Sequence, residues 1–353
     1  MPLQIPLPPL AIDVVDPRTE SRWDEAITGL PGSTFFHGLA WANTLTGTYP
    51  YATRYFVARQ SGSVVGVLPV LEIDSWLTGK RGVALPFTDE CAPVSRETAM
   101  ATALIEAAIR YGADHGWRYC DLRGVDALAA RPSASVTYWG HRLDMTGTED
   151  VISRRLAPSI RQGIRKAERS GVSIEISRGL EAVCSFYQLL CRTRKRHGVP
   201  PQPFSFFEAI HRHILGPELG CVVLAKAADT VVAGAMYFHS GSQAIYKFGA
   251  SDERYQHLRP NNLVMWRAIT WHLQRGFRSL DFGRTSWENH GLRRFKQSWG
   301  TQERTISYAR YDFKRAAFRS AGDATSGWTA KLFRLVPTPL ARIVGAALYS
   351  HAG

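Results

Sequence analysis

One pattern occurs twice in this sequence, and it constrains the fold more than any single motif. Val57-Ala58-Arg59 is followed, five residues after the arginine, by Val64-Val65-Gly66, and Leu224-Ala225-Lys226 is followed at the same spacing by Val231-Val232-Ala233. Each reads as a β-hairpin, turning at Ser61-Gly62-Ser63 or across Ala227–Asp229. Further on, Ala108-Ile109, Gly116-Trp117-Arg118 and Asp121-Leu122 match Ala268-Ile269, Gly276-Phe277-Arg278 and Asp281-Phe282 with identical internal spacing. In both copies the glycine ends a helix, the apolar residues bury a short strand, and the aspartate falls at the strand's carboxyl end. Two copies of hairpin, strand, helix and strand predict two similar α/β (α+β) domains in tandem, each a mixed, mostly antiparallel sheet flanked by helices. The division read from the sequence is residues 1–150, residues 151–313, and a basic amphipathic tail over 314–353.

The chain has 353 residues, a length that suits about two domains. With 43 Lys and Arg against 30 Asp and Glu it carries a formal charge of +13, which favours a polyanionic partner such as RNA, a phosphorylated substrate or an anionic membrane. The five cysteines, Cys91, Cys120, Cys184, Cys191 and Cys221, lack C-x-x-C spacing and argue against a disulfide framework or a zinc site. The proline-broken start MPLQIPLPPL lacks the basic lead of a signal peptide. No apolar run reaches the ~20 residues of a membrane span. These readings predict a soluble cytoplasmic protein.

The copies diverge after the matched aspartates. Arg123–Pro132 drifts through Gly, Ala and Pro, whereas Asp281 leads into Phe282-Gly283-Arg284-Thr285-Ser286-Trp287 and a new helix. Thr285 and Glu288 have capping-box spacing, and Gly300 is placed to end that helix. Such asymmetry predicts one reactive domain, the second, and one that supports it or holds the acceptor. A basic helix over Glu149–Gly171 joins the halves, with Arg154, Arg155, Arg161, Arg165, Lys166 and Arg169. Together with Arg192, Arg194, Lys195 and Arg196 it reads either as a track for RNA or a phosphorylated acceptor, or as a solvated face.

The order hairpin, strand, helix, strand, helix, strand resembles the GNAT acyltransferase fold in tandem. The run Gly249-Ala250-Ser251, Leu263, Trp266-Arg267-Ala268-Ile269, Gly276, Asp281-Phe282-Gly283, Gly291-Leu292, Phe295-Lys296 and Gly300 resembles the Fem family. Further similarities are Ile160-Arg161, Ile164–Glu168 and Gly171-Val172, and in the first half Phe35-Phe36-His37, Gly66–Pro69 and Leu85–Asp89. They span roughly residues 30–313. The tail, with Leu335-Val336-Pro337, Pro339–Arg342 and Gly345, looks more like relatives found with exopolysaccharide and exosortase genes. The resemblance implies an enzyme that adds an aminoacyl or acyl group from an activated donor to a cell-envelope precursor. It departs from the family's larger members by lacking a long helical arm in the second domain.

On that resemblance Lys296, on a helix whose Leu292, Phe295 and Trp299 line one face, is a candidate to neutralise charge on the donor or on the tetrahedral intermediate, with a surface lysine capping that apolar face as the other reading. Asp281 stands where it orients the acceptor amine or relays its proton, with a structural role as the other reading, since Asp121 matches it. Arg259, Asn261 and Asn262 open a helix and suit a phosphate or carboxylate of the donor, or plain helix capping. Asn262 and Val264 stand where a coenzyme A loop needs small residues, and Pro260 withdraws a backbone donor, which argues against ordinary acyl-CoA binding. Arg284, Tyr246 and Lys247 complete the donor set. Asp89, Glu90, Trp287 and Glu288 form the acceptor set. No bound cofactor and no metal is expected. The co-substrate is aminoacyl-tRNA or acyl-CoA, and the partner a phosphorylated or lipid-linked envelope precursor. Peripheral membrane contact falls to the basic tail, through Phe318, Trp328, Leu332, Phe333 and Leu335. The alternatives are an acyl-CoA-dependent N-acetyltransferase and a non-enzymatic protein that binds RNA or a membrane surface.

Overall fold

A computed structural model describes residues 11–126, 128, 132–320, 345 and 348–351. The first half runs β1 (Ala11–Val15), α1 (Trp23–Thr28), α2 (Leu39–Thr46), β2 (Ala52–Thr53), β3 (Tyr55–Gln60), β4 (Ser63–Leu68), β5 (Leu71–Ile73), β6 (Arg81–Val83), β7 (Val94–Ser95), α3 (Thr98–Asp114), β8 (Tyr119–Arg123) and β9 (Val136–Asp144). The second half runs α4 (Glu149–Arg155), α5 (Pro158–Arg169), β10 (Val172–Ser177), α6 (Leu180–His197), α7 (Phe204–Ile210), β11 (Gly220–Ala227), β12 (Thr230–Ser240), β13 (Gln243–Ser251), α8 (Pro260–Gln274), β14 (Ser279–Ser286), α9 (His290–Gln297), β15 (Gln302–Asp312) and β16 (Ala317–Phe318).

The repeat is visible in this order. Hairpin β3–β4 corresponds to β11–β12, α3 to α8, and β8 to β14. Gly116 and Gly276, just past α3 and α8, both adopt positive φ, +70° and +81°, a region open to glycine at no steric cost. One difference is local. The strand that is continuous as β12 is broken in the first copy at Pro69, giving β4 and β5. Proline cannot donate to the ladder, so β4 pairs with β3 while β5 pairs with β6.

By contact the chain divides into two units. One contains the described residues up to Val136 together with those from Ser307 to Ser320; the other contains Thr137–Ile306 and the described residues 345 and 348–351. Strand β9 follows the first copy in sequence but pairs antiparallel with β14 in the second unit, Ser279 opposite Asp144 and Ser286 opposite Tyr138. Strand β15 follows the second copy, yet its residues Tyr308–Asp312 pair antiparallel with β8 in the first unit. Each unit thus takes its closing strand from the other half of the sequence, so the linear division at 150 and 313 does not follow the contacts. Hydrophobic pattern identifies both as strands but does not name their neighbours.

In the second unit β10, β11, β12, β13, β14 and β9 lie side by side. Helices α5 and α8 cover one face through Ile160, Ile164, Leu263, Ala268 and Ile269. Helices α6 and α7 pack an aromatic cluster of Phe186, Phe206, Phe207 and Phe248 on the sheet. With helices on both faces, β12 is buried almost end to end rather than in alternation. In the first unit α3 packs Met100, Leu104, Ile105 and Ala108 against Phe56, Ala58 and Val65 of the hairpin.

Several boundaries differ from the sequence reading. Where the sequence offers a helix over Arg18–Leu30 with a start at Asp16 or Thr19, the first helix starts at Trp23, behind Arg22 in a left-handed conformation. Asp16 instead makes a side-chain ion pair with Arg18. The helix after β14 begins behind Asn289, whose side chain accepts from Leu292 N, while Thr285 remains in the strand. Of the proposed tail anchors, Phe318 lies in β16, and Trp328, Leu332, Phe333 and Leu335 lie outside the described residues.

Gly82 gives a direct test of first-unit packing. A β-carbon there would lie 2.1 Å from the Trp117 ring, which cannot retreat because Trp117 Nε1 donates to Glu72 Oε2 at 2.7 Å. Gly82→Ala is expected to lower unfolding stability by ~1–3 kcal/mol in denaturant titrations. Gly29→Ala, where nothing lies within 4 Å, should change it by less than ~0.5 kcal/mol.

Candidate active site

In the second unit β13 and β14 run parallel, with α8 as the crossover that such a pair requires. Their pairing covers only Gln243–Ile245 against Ser279–Asp281. Each strand then carries an extra residue. On β13, Lys247 has no opposite number between the pairs Tyr237–Tyr246 and Met236–Phe248. On β14 the register shifts between Asp281, opposite Arg142, and Arg284, opposite Gly140. A bulge bends its strand and increases the local twist. Among the described residues no pairing joins the two strands beyond Ile245 and Asp281, and β9 pairs the far edge of β14.

Beside the unpaired stretch of β13 lies a cavity of about 210 Å³. Tyr246, Gly249, Ala250 and Ser251 line it from β13, Asn261, Val264 and Met265 from α8, Thr193, Arg196 and His197 from the end of α6, and Phe295 from α9. Gly249 is required here, since a β-carbon would lie 1.7 Å from the Tyr246 hydroxyl. Burial pushes that hydroxyl up to about 12, so it stays protonated at neutral pH. Thr193 Oγ1 accepts from Ser251 N at 3.2 Å and fixes the α6 end against β13. Cations gather at this edge. Arg196 reaches Glu253 at 3.4 Å, Arg192 and Arg254 converge on buried Asp252, and exposed Arg259 precedes α8. Hydrogen bonds from Arg254 hold the Asp252 carboxyl down at about 2. A second cavity, of about 550 Å³, lies between α5, β10 and α8 and contains none of the candidate residues.

The structure brings together only part of the donor set. Tyr246 and Asn261 line the cavity. Asn262 turns toward α5, filling the space a side chain at Gly163 would need. Its backbone N–H donates to Arg259 O at 3.1 Å. The helix start is made by Arg259, in a left-handed conformation at φ 59°, with Pro260 in the first turn, and no asparagine side chain caps it. Lys247 is the bulged residue, its amine 5.4 Å from the Phe248 ring centre. Arg284 lies over Tyr138 at 4.3 Å. Trp287 packs on Trp139 with ring centres 4.0 Å apart, and Glu288 is exposed.

Lys296 is buried, only 3% exposed, and donates to Gly283 O at 2.9 Å and Arg284 O at 3.0 Å. Sequence spacing placed it beside the apolar face of Leu292, Phe295 and Trp299; the fold turns it inward instead, where it holds the bulged backbone of β14. Asp281 accepts from Gly283 N at 2.7 Å and lies 3.4 Å from Arg304 of β15. Its counterpart Asp121 makes a two-pronged pair with Arg310 of the same strand at 2.6 and 2.7 Å. The recurrence supports the structural reading of both aspartates.

Asp89 and Glu90 lie in the first unit, in the loop after β6. That unit has the matching parallel pair, β6 with β8 over Gly82–Val83 and Cys120–Asp121. Here the loop itself lies along β8. Ala84 N donates to Asp121 O, Cys91 N to Arg123 O, and Arg123 Nη1 to the carbonyls of Leu85 and Thr88. Tyr308 Oη donates to Asp89 O at 2.6 Å, and Glu90 packs on Gly124. The stretch that is open in the second unit is occupied in the first by its own chain. Sequence reading named Gly249 and Ser251 only within the resemblance, without a site role, and passed over Met265 and Thr193; the bulge in β13 leaves no mark in residue periodicity.

Three of the thiols are disarmed by burial, which pushes Cys91 and Cys120 well up and Cys221 up to about 12. Cys91 approaches His37 at 3.9 Å, but the histidine bonds Ala92 O. No group of three His, Cys, Asp or Glu is placed to hold a metal ion among the described residues.

Behind α9 sits fully buried His141 on β9, its Nδ1 3.7 Å from Glu303 and neither nitrogen hydrogen-bonded among the described residues. Desolvation, helped by Lys296, holds its imidazole down at about 4, and burial does the same to His272. Between pH 6.5 and 4 the unfolded chain takes up these protons while the native state does not. Stability is therefore complete above pH 6.5 and falls as pH drops through this window, by up to ~3 kcal/mol per histidine. Urea titrations from pH 7 to 4.5 should show the fall, and His141→Gln should remove the share of His141 and leave that of His272.

Residues 154–315 match the family described as Acetyltransferase (GNAT) domain. A lipid II:glycine glycyltransferase of Staphylococcus haemolyticus is 31% identical over 86 residues, which are 22% of this chain and 20% of that protein. The chain therefore spans about a fifth of the length of the curated relatives it matches. Among solved structures, FemX aligns with a TM-score of 0.65 at 15% identity, covering 86% of this chain and 98% of that one. A tandem GNAT protein from the clavulanic acid biosynthesis pathway aligns at 0.55 with 11% identity, covering 86% and 98%. The matched domain, the repeated unit and the two-unit likeness together show that this chain has the tandem GNAT fold.

Proposed function

We propose that this protein is an acyltransferase that moves an aminoacyl or acyl group from an activated donor onto an amine or hydroxyl of a cell-envelope precursor. The observation that carries the reading is the opening of the second unit's sheet, where β13 and β14 part after three paired residues beside a cavity edged by cations. A polyanionic donor suits that edge. Its acyl end reaches the cavity past Asn261, Arg196 and His197. The S. haemolyticus relative is named for glycyl transfer onto lipid II. By that likeness the acceptor is a lipid-linked peptidoglycan precursor and the donor an aminoacyl-tRNA. The start of α8 supports this over acyl-CoA: Pro260 lacks an N–H, and the Asn262 N–H is already used.

The chemistry is direct attack. The acceptor nitrogen or oxygen bonds to the donor carbonyl carbon and loses a proton, and the ester or thioester bond breaks with that proton passing to the leaving group. Catalysis comes from positioning and from backbone donors at the bulges facing the developing oxyanion. In this reading Lys296 acts by holding the β14 bulge in place, which refines its role as a charge neutraliser. In the second unit Trp287 and Glu288 are the proposed acceptor contacts, and Asp89 and Glu90 are proposed separately as acceptor contacts of the first unit.

Purified protein incubated separately with charged tRNAs and labelled acyl-CoAs, each with envelope-precursor extract, tests the donor. Transfer from charged tRNA is expected; transfer from acyl-CoA alone would overturn the tRNA assignment, and none from either the whole reading. Asn261→Ala should raise the donor KM ~10-fold at unchanged stability. Lys296→Met, which strips two buried carbonyls of their donor, should lower kcat and also destabilise by ~2–4 kcal/mol. Full activity in Lys296→Met would remove it from the mechanism.

A further inference from the structure

The β5–β6 loop of the first unit holds an unusual tip. Trp76 is 86% exposed and Leu77 beside it 53%, and Trp76 is the most exposed of the large apolar side chains among the described residues. The loop beneath them is rigidly built. Buried Ser75 accepts from Leu77 N and Thr78 N through its hydroxyl, and Gly79 N donates to Ser75 O. Arg81, itself buried, donates to Thr78 Oγ1 and Gly79 O, and Arg118 donates to Thr78 O. Gly79 at φ +81° lets the chain close against the Arg118 stem. Single exposed apolar residues are ordinary, but an adjacent Trp-Leu pair held outward by a bonded turn is preorganised for burial elsewhere.

The surroundings specify the partner. Arg118 N donates to Lys80 O, and Phe313 N donates to Arg118 O, so the exposed Lys314-Arg315 turn stands next to the loop. Lys80 is engaged with Glu72 at 3.3 Å. Arg118, Lys314 and Arg315 add exposed positive charge, against exposed Asp74 on the loop and Asp114 at the end of α3. An exposed indole and leucine with cations to one side of their loop match a bilayer interface with anionic headgroups, where tryptophan settles at headgroup depth. The chain's charge of +13 acts in the same direction, and no helix of the described residues is long and apolar enough to cross a membrane. We infer that the Trp76–Leu77 tip, with Arg118, Lys314 and Arg315 to one side of it, is a peripheral membrane anchor for anionic phospholipid. It goes beyond the acyl-transfer reading and does not rest on it.

Co-sedimentation of the full chain with sucrose-loaded vesicles tests this without any acyl donor. Binding is expected to vesicles of phosphatidylglycerol and phosphatidylcholine, weakly to phosphatidylcholine alone, and to weaken with salt. Trp76→Ser with Leu77→Ser should lower the partition constant at least ~10-fold. Lys314→Gln with Arg315→Gln should lower it on anionic vesicles only. Both pairs are exposed, and an unchanged circular dichroism spectrum should accompany the loss. Equal vesicle binding by Trp76→Ser/Leu77→Ser and wild type overturns the inference, as does absence of binding to either vesicle. A dimer seen by sedimentation velocity and dissolved by the same pair would assign the tip to a second copy instead.

Discussion

Three residues of parallel pairing decide where the second unit's sheet opens. Gln243–Ile245 meet Ser279–Asp281, and everything on either side depends on that short overlap. A parallel pair needs a crossover, so α8 must lie across the sheet between the strands. Extra residues at Lys247 and between Asp281 and Arg284 follow at once, and the strands part. The far edge of β14 is paired by β9, and its bulged carbonyls are held by Lys296. Polar chemistry thus sits at a defect stabilised from behind, where backbone groups are turned from the ladder toward a ligand.

The same constraint in the first unit has the opposite outcome. Strands β6 and β8 share an even shorter parallel overlap, but residues 84–91 lie along β8 and Arg123 secures two of their carbonyls. Trp117 closes over Gly82 from beneath. The two units are related in plan and differ in whether the gap between diverging strands is filled by the chain itself. That difference, rather than any catalytic motif, separates an open unit from a closed one.

Much of this plan was legible in the sequence. Hairpins, helices α3 and α8, and the glycines that end them follow from periodicity and backbone conformation, which are local. What was not legible depends on distant partners. Nothing in Val136–Asp144 or Gln302–Asp312 states which sheet each strand completes, since both mix buried and half-buried positions without a regular alternation. Lys296 reads as a surface residue because its acceptors are backbone carbonyls, which carry no sequence signature. Thr285 and Glu288 have the spacing of a capping box, yet pairing of Thr285 with Trp139 keeps the strand going and passes the cap to Asn289. The candidate residues that reach the cavity, Tyr246 and Asn261, lie next to ones that do not, Lys247 and Asn262, and only the bulge and Gly163 tell them apart.

The crossed provenance of the closing strands bears on synthesis as well as on shape. The edge of β8 that β15 covers is complete by residue 123, but its partner, Tyr308–Asp312, is translated some hundred and eighty residues later. At ~5–20 residues per second this leaves an unpaired strand edge on the nascent chain for about ten seconds or more. Such an edge is a template for wrong pairing with any passing strand. A chaperone that shields β8 through that interval would determine the yield of native protein without altering its final stability.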